Sequence, residues 1–311
     1  MTFVQLEYLV AVDTHRHFAK AAAACFVTQP TLSMQVLKLE QELGVRIFDR
    51  SKQPVVTTTA GTDLISHARK ILSERTNMLD FLHLHKGILA GELKVGIIPT
   101  LAPYLLPLFI PSFTKKYPNV KLIISEMTTD VILIRLREGK IDTGVLVTPL
   151  NESGIKEHIL FYEEMLAYIS AKNAAFKKTY ILPQDIDPNK LWLLEEGHCF
   201  RTQIANLCQL RRNSAVGSHF EYEAGSLETL RRLVELNDGI TILPELATFE
   251  MTVKQKRLLR KFRHPIPMRE VSIITHRDHV KKNLIEILKT EIITSLPEKV
   301  IKNKSSLIVP I

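Results

Sequence analysis

Two of the three cysteines, Cys199 and Cys208, lie nine residues apart. Cys199 follows a glycine and stands between His198 and Arg201, and the residues after it favour a helix. A helix N-terminus and neighbouring cationic side chains both stabilise a thiolate. Because the thiolate is the form that reacts with peroxides and metals, this segment predicts a reactive cysteine.

The spacing of the pair limits how the two cysteines can join. Nine residues of helix separate their Cα atoms by about 13 Å, whereas a disulfide needs roughly 4.4–6.8 Å. The pair therefore cannot join while that helix is intact, which is typical of a switch. The alternative is that both are small buried apolar side chains, the usual fate of a free cysteine.

No metal site or other cofactor is predicted. Cys199 and Cys208 lack the short Cys-x₂₋₄-Cys spacing of zinc sites. Four histidines are expected on solvated helix faces: His15, His17, His83 and His85.

Length and composition limit the classes of protein to which the chain can belong. The length of 311 residues suggests two or three folding units, and 45% apolar residues suit a soluble protein with a core. An odd number of cysteines argues against a secreted disulfide scaffold. No signal peptide is recognised, and the longest uncharged run, Leu101–Thr114, is too short and too rich in proline to span a bilayer. We expect a cytoplasmic chain without a membrane partner.

The net charge of +8 is concentrated after residue 249, so it does not locate a nucleic-acid surface.

The first sixty residues predict a helix-turn-helix. An amphipathic helix over residues 2–14 precedes an alanine-rich helix over Phe18–Cys25. Thr28 is a suitable N-cap for a third helix, which ends before Gly44. A short helix, a turn and a capped helix with a polar face form the DNA-binding pattern. The alternative is a small helical bundle with a solvated face.

The third helix has an apolar stripe and a polar face. The stripe consists of Leu32, Val36, Leu39 and Leu43. The residues that we expect to meet DNA are Gln29, Pro30, Thr31, Ser33, Gln35 and Lys38, together with Arg50. Gln and Lys side chains can read purine edges, and Arg50, in a predicted β-wing over residues 45–57, is placed to contact phosphate.

A long helix without proline is predicted for Thr58–Leu89. Its apolar residues have near-heptad spacing: Leu64, Ala68, Ile71, Leu72, Leu79 and Leu82. Thirty helical residues span about 45 Å, too long for a small domain, so we expect this helix to pair with its copy.

From residue 90 onward, strands alternate with helices, which predicts an α/β fold with parallel sheets in two lobes. The expected strands are Leu93–Ile98, Val120–Glu126, Thr143–Val147, Leu166–Ser170, Leu191–Leu194, His219–Ala224, Gly239–Leu243 and Val271–Thr275. The expected helices are Pro103–Lys116, Thr129–Glu138, one after Cys199, Ser226–Leu236 and Val280–Ile293. Ligands bind at strand ends and between lobes. Thr100, Thr129 and Gly197–Cys199 each follow a strand, so they are expected to converge on one cleft.

Several motifs resemble the LysR-type transcriptional regulators. They are Phe18, Ala21, Ala22, Val27–Ser33, Leu39, Glu40, Leu43, Gly44, Phe48 and Arg50, followed by Thr58–Gly61. Other motifs are similar to the peroxide-sensing members of that family: Ile98–Pro107, Glu196–Arg201 with Cys208, and Ser226–Arg231. The likeness runs through about residues 1–295.

The resemblance implies a winged helix-turn-helix at 1–58, a linker and dimerisation helix at 59–89, and a two-lobe sensor like a periplasmic binding protein at 90–297. Residues 298–311 show no packing pattern and are expected to form a disordered tail. The resemblance also implies a homodimer that assembles into a homotetramer on double-stranded DNA, acting with RNA polymerase.

The same resemblance implies that Cys199 reacts with hydrogen peroxide and that Cys208 resolves the product as a disulfide. Thr100, Thr129 and His198 would line the peroxide pocket, with Arg201 beside them. Arg211 and Arg212 depart from the family pattern. Cys25 is expected in the core of the DNA-binding domain.

Two other functions compete with a peroxide-sensing regulator. A regulator of this family can bind a small organic effector between the lobes, with structural cysteines. A thiol peroxidase would also use Cys199, but an enzyme of that kind has no need of a helix-turn-helix.

Overall fold

The computed structural model of the chain describes residues 1–85, 89–195, 197–208, 225–276, 281–303 and 306–311, without the side chains of residues 77 and 79–85. The chain divides into two compact units, one of Met1–Ala90 with Arg137–Lys140, the other of Gly91–Leu136 with Ile141–Ile311. The predicted strand His219–Ala224 and the pair Arg211 and Arg212 lie outside the described residues.

The first unit contains the predicted helices and a small wing. Its elements are α1 (Phe3–His15), α2 (Phe18–Ala24), α3 (Gln29–Leu43), β1 (Phe48–Asp49), β2 (Val56–Thr57) and α4 (Thr59–His85). The Thr28 hydroxyl accepts a hydrogen bond from the Thr31 amide at the start of α3, and Gly44 ends the helix with a φ of 67°. Leu32, Val36 and Leu39 are buried as expected, whereas Leu43 is exposed. Strands β1 and β2 pair antiparallel.

The start of α4 explains the Thr-Thr-Ala-Gly run at its N-terminus. The Thr58 hydroxyl accepts a hydrogen bond from the Gly61 amide and donates to the Arg46 carbonyl, so it caps the helix against the wing. A Cβ at Gly61 would lie 2.2 Å from the Ile47 carbonyl oxygen. Only glycine allows this close approach.

The first half of α4 packs within its own unit. Ile65 and Ala68 are buried against the same core as α1, and Arg69 forms an ion pair with Asp13 at 2.8 Å. Leu72 packs on that core as well. Ala68 and Leu72, which the heptad spacing assigned to the seam with a second copy, therefore pack in the core of their own unit instead. The side chains of Leu79 and Leu82 lie outside the described residues.

The second unit is an α/β unit whose elements follow in this order. They are β3 (Gly91–Ile97), α5 (Ala102–Lys116), β4 (Val120–Glu126), α6 (Thr129–Arg137), β5 (Thr143–Thr148), β6 (Ile155–Ile169), β7 (Tyr180–Ile181), α7 (Cys199–Leu207), α8 (Leu227–Leu236), β8 (Ile240–Pro244), α9 (Val253–Lys256), β9 (Leu259–Phe262), β10 (Pro267–His276), α10 (Lys282–Ser295), α11 (Glu298–Ile301) and β11 (Leu307–Ile308).

The sheet is mixed rather than parallel, which corrects the prediction. Its order is β4-β3-β5-β10-β6-β9-β7, with β8 on β6 and β11 on β10. Strand β3 runs parallel to β4 and β5, but β10 runs antiparallel to both β5 and β6. The predicted strand Leu166–Ser170 largely coincides with the end of the 15-residue β6. The predicted strand Leu191–Leu194 is not among the observed strands, and Leu191 forms an isolated bridge to Ile240.

Two hydrophobic cores confirm two lobes. One core joins β3, β5, α5, α6 and α10, and the other joins the end of β6 with α7, α8 and β8. Strands β6 and β10 lie side by side, and β6 contributes to both cores.

The expectation of a disordered tail is wrong for the described residues of 298–311. Val300 is buried in the first core and Val309 in the second. Strand β11 pairs parallel with the start of β10.

Candidate redox site and DNA-binding face

Cys199 is the first residue of α7 and is buried at the boundary of the two lobes. Its side chain belongs to the first core, whereas the next residue, Phe200, belongs to the second. His198 is the N-cap residue, and Gly197 precedes it with a φ of +91°, a conformation that favours glycine. A movement at this turn therefore reaches both lobes.

The two threonines predicted to converge on Cys199 lie at strand ends and are buried. Thr100 follows β3, and Thr129 begins α6. The Thr129 hydroxyl faces the Cys199 sulfur, where its hydrogen bond lowers the pKa of the thiol. Apart from this weak sulfur contact, the hydroxyl has no hydrogen-bond partner among the described residues. The site thus holds a buried hydroxyl that is available to a small polar ligand.

A buried arginine, not recognised in the sequence, completes the site. Arg269 on β10 is fully buried and donates from Nη1 to the Thr100 hydroxyl at 3.1 Å and from Nη2 to the Thr100 carbonyl at 3.2 Å. Its Nε donates to Glu163 at 2.6 Å, and its guanidinium lies 5.1 Å from the centre of the Phe200 ring. No clear signal in the sequence pointed to this role, because Arg269 stands next to Glu270 and outside the predicted strand Val271–Thr275.

The electrostatics of Cys199 differ from the prediction of a favoured thiolate. Burial raises the pKa of the thiol above its ordinary value, and the Thr129 hydroxyl, the Arg269 charge and the backbone N–H groups of Phe200 and Cys199 oppose that rise. The resting site therefore favours the neutral thiol. The positive charge that acts on the sulfur comes from Arg269.

The predicted cationic neighbours have other contacts. Arg201 donates from Nη1 to the Leu194 carbonyl at 2.8 Å. His198 is buried, and its Nε2 lies 3.5 Å from the Glu195 carboxylate. The hydrogen bond from Arg201 thus stabilises the turn that precedes α7.

Cys208 caps the other end of α7 and is half-buried. Burial raises the pKa of its thiol to about 11. Both cysteines are free thiols, and the nine helical residues Cys199–Leu207 precede Cys208. A bond between the two sulfurs requires α7 to unwind, as the spacing predicts.

The α3 surface carries the residues predicted to meet DNA, but not all of them are free. Gln29, Pro30, Thr31 and Lys38 are exposed. Ser33 is half-buried and accepts a hydrogen bond from Arg50, and Gln35 is half-buried and accepts one from Gln5. Exposed Met34 and Leu37 also lie on α3 and were not singled out in the sequence.

Arg50 connects the wing to α3. It donates to Glu40 at 2.9 Å and to Ser33 at 3.1 Å, and it lies 4.9 Å from the centre of the Phe18 ring. Glu40 also accepts hydrogen bonds from the amides of Ile47 and Phe48. Arg50 therefore has a structural role in addition to any contact with phosphate.

The second unit also has a cavity of about 280 Å³ beside α5 and α8. Tyr104, Glu228 and Arg231 are among its lining residues. The Tyr104 hydroxyl donates to Glu228 at 3.0 Å, and Arg231 lies 2.5 Å from the same carboxylate. Cys199, Thr100 and Thr129 do not line this cavity. In the described part of the chain, every helix is too short or too polar to cross a membrane.

A helix-turn-helix with a wing, a long helix and a two-lobe α/β unit define the class of bacterial DNA-binding regulators with an attached sensor. Residues 3–62 match the bacterial regulatory helix-turn-helix proteins of the lysR family, and residues 86–294 match the LysR substrate binding domain. The chain belongs to the LysR family of transcriptional regulators, and it is therefore a regulator rather than an enzyme of the thiol peroxidase class.

Individual relatives show which members of the family the chain resembles. The DNA-binding transcriptional dual regulator OxyR of Escherichia coli is 38% identical over 247 residues, which cover 79% of this chain and 80% of the relative. Full-length OxyR of Pseudomonas aeruginosa with a cysteine-to-aspartate change has a TM-score of 0.79 at 34% identity, covering 94% of this chain and 98% of that one. An H2O2-bound cysteine mutant of OxyR from Corynebacterium glutamicum has a TM-score of 0.61 at 27% identity, covering 96% and 94%.

Proposed function

We propose that this chain regulates transcription in response to hydrogen peroxide, with Cys199 as the reactive cysteine and Cys208 as the resolving one. The observation that carries the proposal is the setting of Cys199, which lies buried beside the Thr129 hydroxyl and within the field of Arg269. The relatives named for peroxide response or OxyR support it. The solved OxyR described as H2O2-bound supports peroxide as the ligand.

The site supplies the groups that the first chemical step needs. A peroxide beside the sulfur can accept a hydrogen bond from the Thr129 hydroxyl, which otherwise contacts the Cys199 sulfur, and His198 and Thr100 would complete the pocket. The Cys199 sulfur attacks one peroxide oxygen and the O–O bond breaks. The thiol proton leaves with the departing hydroxide, so the products are a sulfenic acid and one water.

Arg269 stabilises the negative charge that develops on the sulfur and on the departing oxygen. Its guanidinium is fixed by Glu163 and Thr100 before the reaction, so it needs no reorganisation at that moment. Since burial raises the pKa of the Cys199 thiol, the neutral form is favoured at rest, and the Arg269 charge and the Thr129 hydroxyl favour the thiolate that attacks.

The second step closes the disulfide. The Cys208 sulfur attacks the sulfenic sulfur of Cys199, the S–O bond breaks, and hydroxide leaves with the Cys208 proton as a second water. Two thiols and one peroxide thus give one disulfide and two waters. A polar sulfenic acid is more costly to bury than a thiol, so oxidation favours departure of residue 199 from its pocket and unwinding of α7.

The proposal extends to the assembly on DNA. Gln29, Pro30, Thr31, Ser33, Gln35, Lys38 and Arg50 would form or support the DNA-binding face. The chain would act as a homodimer that assembles into a homotetramer, in contact with RNA polymerase and in the cytoplasm. Its divisions would be 1–58 for DNA binding, 59–89 for the linker, 90–297 for sensing and 298–311 for a tail, whose Val300 and Val309 are buried in the cores of the sensing unit. A disulfide that repacks the lobes would change how subunits meet and how DNA-binding units are spaced.

Three variants test the proposal. Substoichiometric peroxide should remove two free thiols per reacted chain in the wild type and in Cys25→Ser, and peptide mass mapping should place the new bond between Cys199 and Cys208. Cys208→Ser should accumulate sulfenic acid at Cys199, and Cys199→Ser should lose both the oxidation and the transcriptional response. A Cys199→Ser protein that responds like the wild type would overturn the assignment.

The cavity beside Tyr104 and Arg231 gives a second candidate a physical basis. A small organic effector bound between the lobes would change transcription without oxidising any cysteine. Free-thiol counts separate the two functions, because they fall on activation in the first and stay constant in the second.

A further inference from the structure

The 298–311 segment accepts hydrogen bonds from the middle of α7, the helix that begins at Cys199. Gln203 Nε2 donates to the Val309 carbonyl at 2.6 Å, and Asn206 Nδ2 donates to the Pro310 carbonyl at 3.1 Å. Gln203 and Asn206 are three residues apart and share one side of α7. The Val309 side chain is buried in the same core as Phe200 and Ile204 of α7.

Gln203 is an unusual residue for a core. It is fully buried, and its side-chain oxygen has no hydrogen-bond partner in the part of the chain that the structure describes. Burying an unpaired amide oxygen costs free energy, which an apolar side chain of the same size would avoid. The bond from its Nε2 to Val309 gives this polar residue a function in holding the segment.

The other side of the segment is bonded to the sheet. Leu307 and Ile308 pair with Pro267 and Met268, and the Val309 amide donates to the Met268 carbonyl at 3.0 Å. Val309 therefore joins the start of β10, next to Arg269, to the centre of α7.

The beginning of the segment bonds to the buried carboxylate of Glu245. Asn303 donates to Glu245 at 2.7 Å and to the Tyr162 carbonyl at 3.1 Å, and Lys299 forms an ion pair with Glu245. These contacts hold the segment in place at both of its described ends, so α7 packs against a fixed segment.

We propose that residues 307–311 form a clasp that holds α7 in the reduced conformation and must release Gln203 and Asn206 before Cys208 can reach Cys199. The inference rests on the proposed disulfide switch. It identifies the release of Gln203 and Asn206 as the slow step of disulfide closure. Gln203 and Asn206 both lie between the two cysteines, so unwinding that brings the sulfurs together must break these bonds. The attack of Cys199 on peroxide precedes that movement and does not depend on it.

Two variants weaken the clasp without touching the cysteines. Gln203→Met removes the donor at nearly constant volume and leaves the buried Val309 carbonyl without this partner, which outweighs the relief of the unpaired amide oxygen. Asn206→Ala removes the donor to Pro310. Each should speed disulfide closure about three- to tenfold, the effect of one hydrogen bond of ordinary net strength. Alanine at 206 also favours helix, so faster closure there cannot come from a weaker helix.

The measurement separates the two chemical steps. The reduced full-length protein is mixed with one equivalent of hydrogen peroxide and quenched over time, and sulfenic acid and disulfide are counted by mass spectrometry. Sulfenic acid formation should keep its wild-type rate while disulfide closure accelerates. Lys302→Ala changes an exposed side chain of the same segment, whose ion pair is with Glu298, and should alter neither rate.

Unchanged closure rates in both clasp variants would overturn the clasp while leaving the switch intact. A wild-type protein that forms no disulfide would instead overturn the proposed function.

Discussion

The Nε atom of Arg269 lies 2.6 Å from a carboxylate oxygen of Glu163, and neither side chain is exposed to solvent. Burying two charges costs desolvation that their attraction rarely repays, so such a pair is weak evidence for stability. The position of the pair is a better explanation for its burial, because the same guanidinium acts on the Cys199 sulfur and bonds to Thr100. The pair keeps a fixed positive charge where the reaction with peroxide generates a negative one.

This relationship predicts that stability and reactivity can be separated. Arg269→Met leaves Glu163 buried without a countercharge and should destabilise the protein by about 3–5 kcal/mol in urea denaturation. The double variant Arg269→Met/Glu163→Leu removes both charges and should recover most of that stability. Its Cys199 should nevertheless react much more slowly with peroxide. Wild-type reactivity in a well-folded double variant would contradict the role of Arg269.

The buried thiol predicts a pH dependence. Since burial raises the pKa of Cys199, the reactive thiolate is scarce at neutral pH and increases as the pH rises. The rate of alkylation by iodoacetamide should therefore still climb above about pH 8.5, the ordinary pKa of a cysteine. Thr129→Val removes a hydrogen bond that lowers the pKa, so its profile should move to higher pH. Stopped-flow or mass-spectrometric rates in a Cys25→Ser/Cys208→Ser background test this, and a wild-type profile already flat at pH 7 would refute it.

Local signals in the sequence were sufficient for the first unit. Thr28 and Gly44 mark the two ends of α3 because caps depend on residues within one helical turn. The same holds for Cys199 at the start of α7, where a glycine precedes the helix. Thr100 and Thr129 were predicted to converge because strand ends in an α/β sheet meet at one edge; Thr129 contacts Cys199, and Thr100 contacts Arg269.

Features that depend on distant partners were not predictable in this way. Arg269 faces Thr100 and Glu163, which are more than one hundred residues away, so no spacing links them. The antiparallel pairing of β10 with β6 depends on strand order rather than on alternation. Val309 has no helical or strand period of its own, and its burial depends on the distant helix α7.

The α3 surface predicts two different effects on DNA binding. Gln29 is exposed at the start of α3, so Gln29→Ala should weaken specific binding by about 1–3 kcal/mol if it reads a base. Lys38→Ala should weaken binding to all sequences and reduce the slope of log affinity against log salt by about 1. Titrations at several salt concentrations with specific and random duplexes distinguish the two. Unchanged affinity in both variants would count against α3 as the reading helix.

The same surface contains an indirect contact. Ser33→Ala removes an acceptor of Arg50, so any loss of affinity should be matched by Arg50→Ala and should not add to it in the double variant. Full additivity in the same titrations would mean that the two side chains act independently.

The dimer contact on the linker helix is predicted at residues that the first unit leaves exposed. Ile71 and Met78 are 38% and 64% exposed and seven residues apart, so they share one face of α4, whereas Ile65 and Ala68 pack within the unit. Ile71→Glu should therefore dissociate the dimer, as measured by sedimentation velocity, with little change in the melting of the first unit. Thr76→Glu adds the same charge at an exposed position off that face and should leave the dimer intact. Leu72→Glu should instead destabilise the unit, because Leu72 packs on its core. A dimer of normal affinity in Ile71→Glu would show that the subunits meet elsewhere.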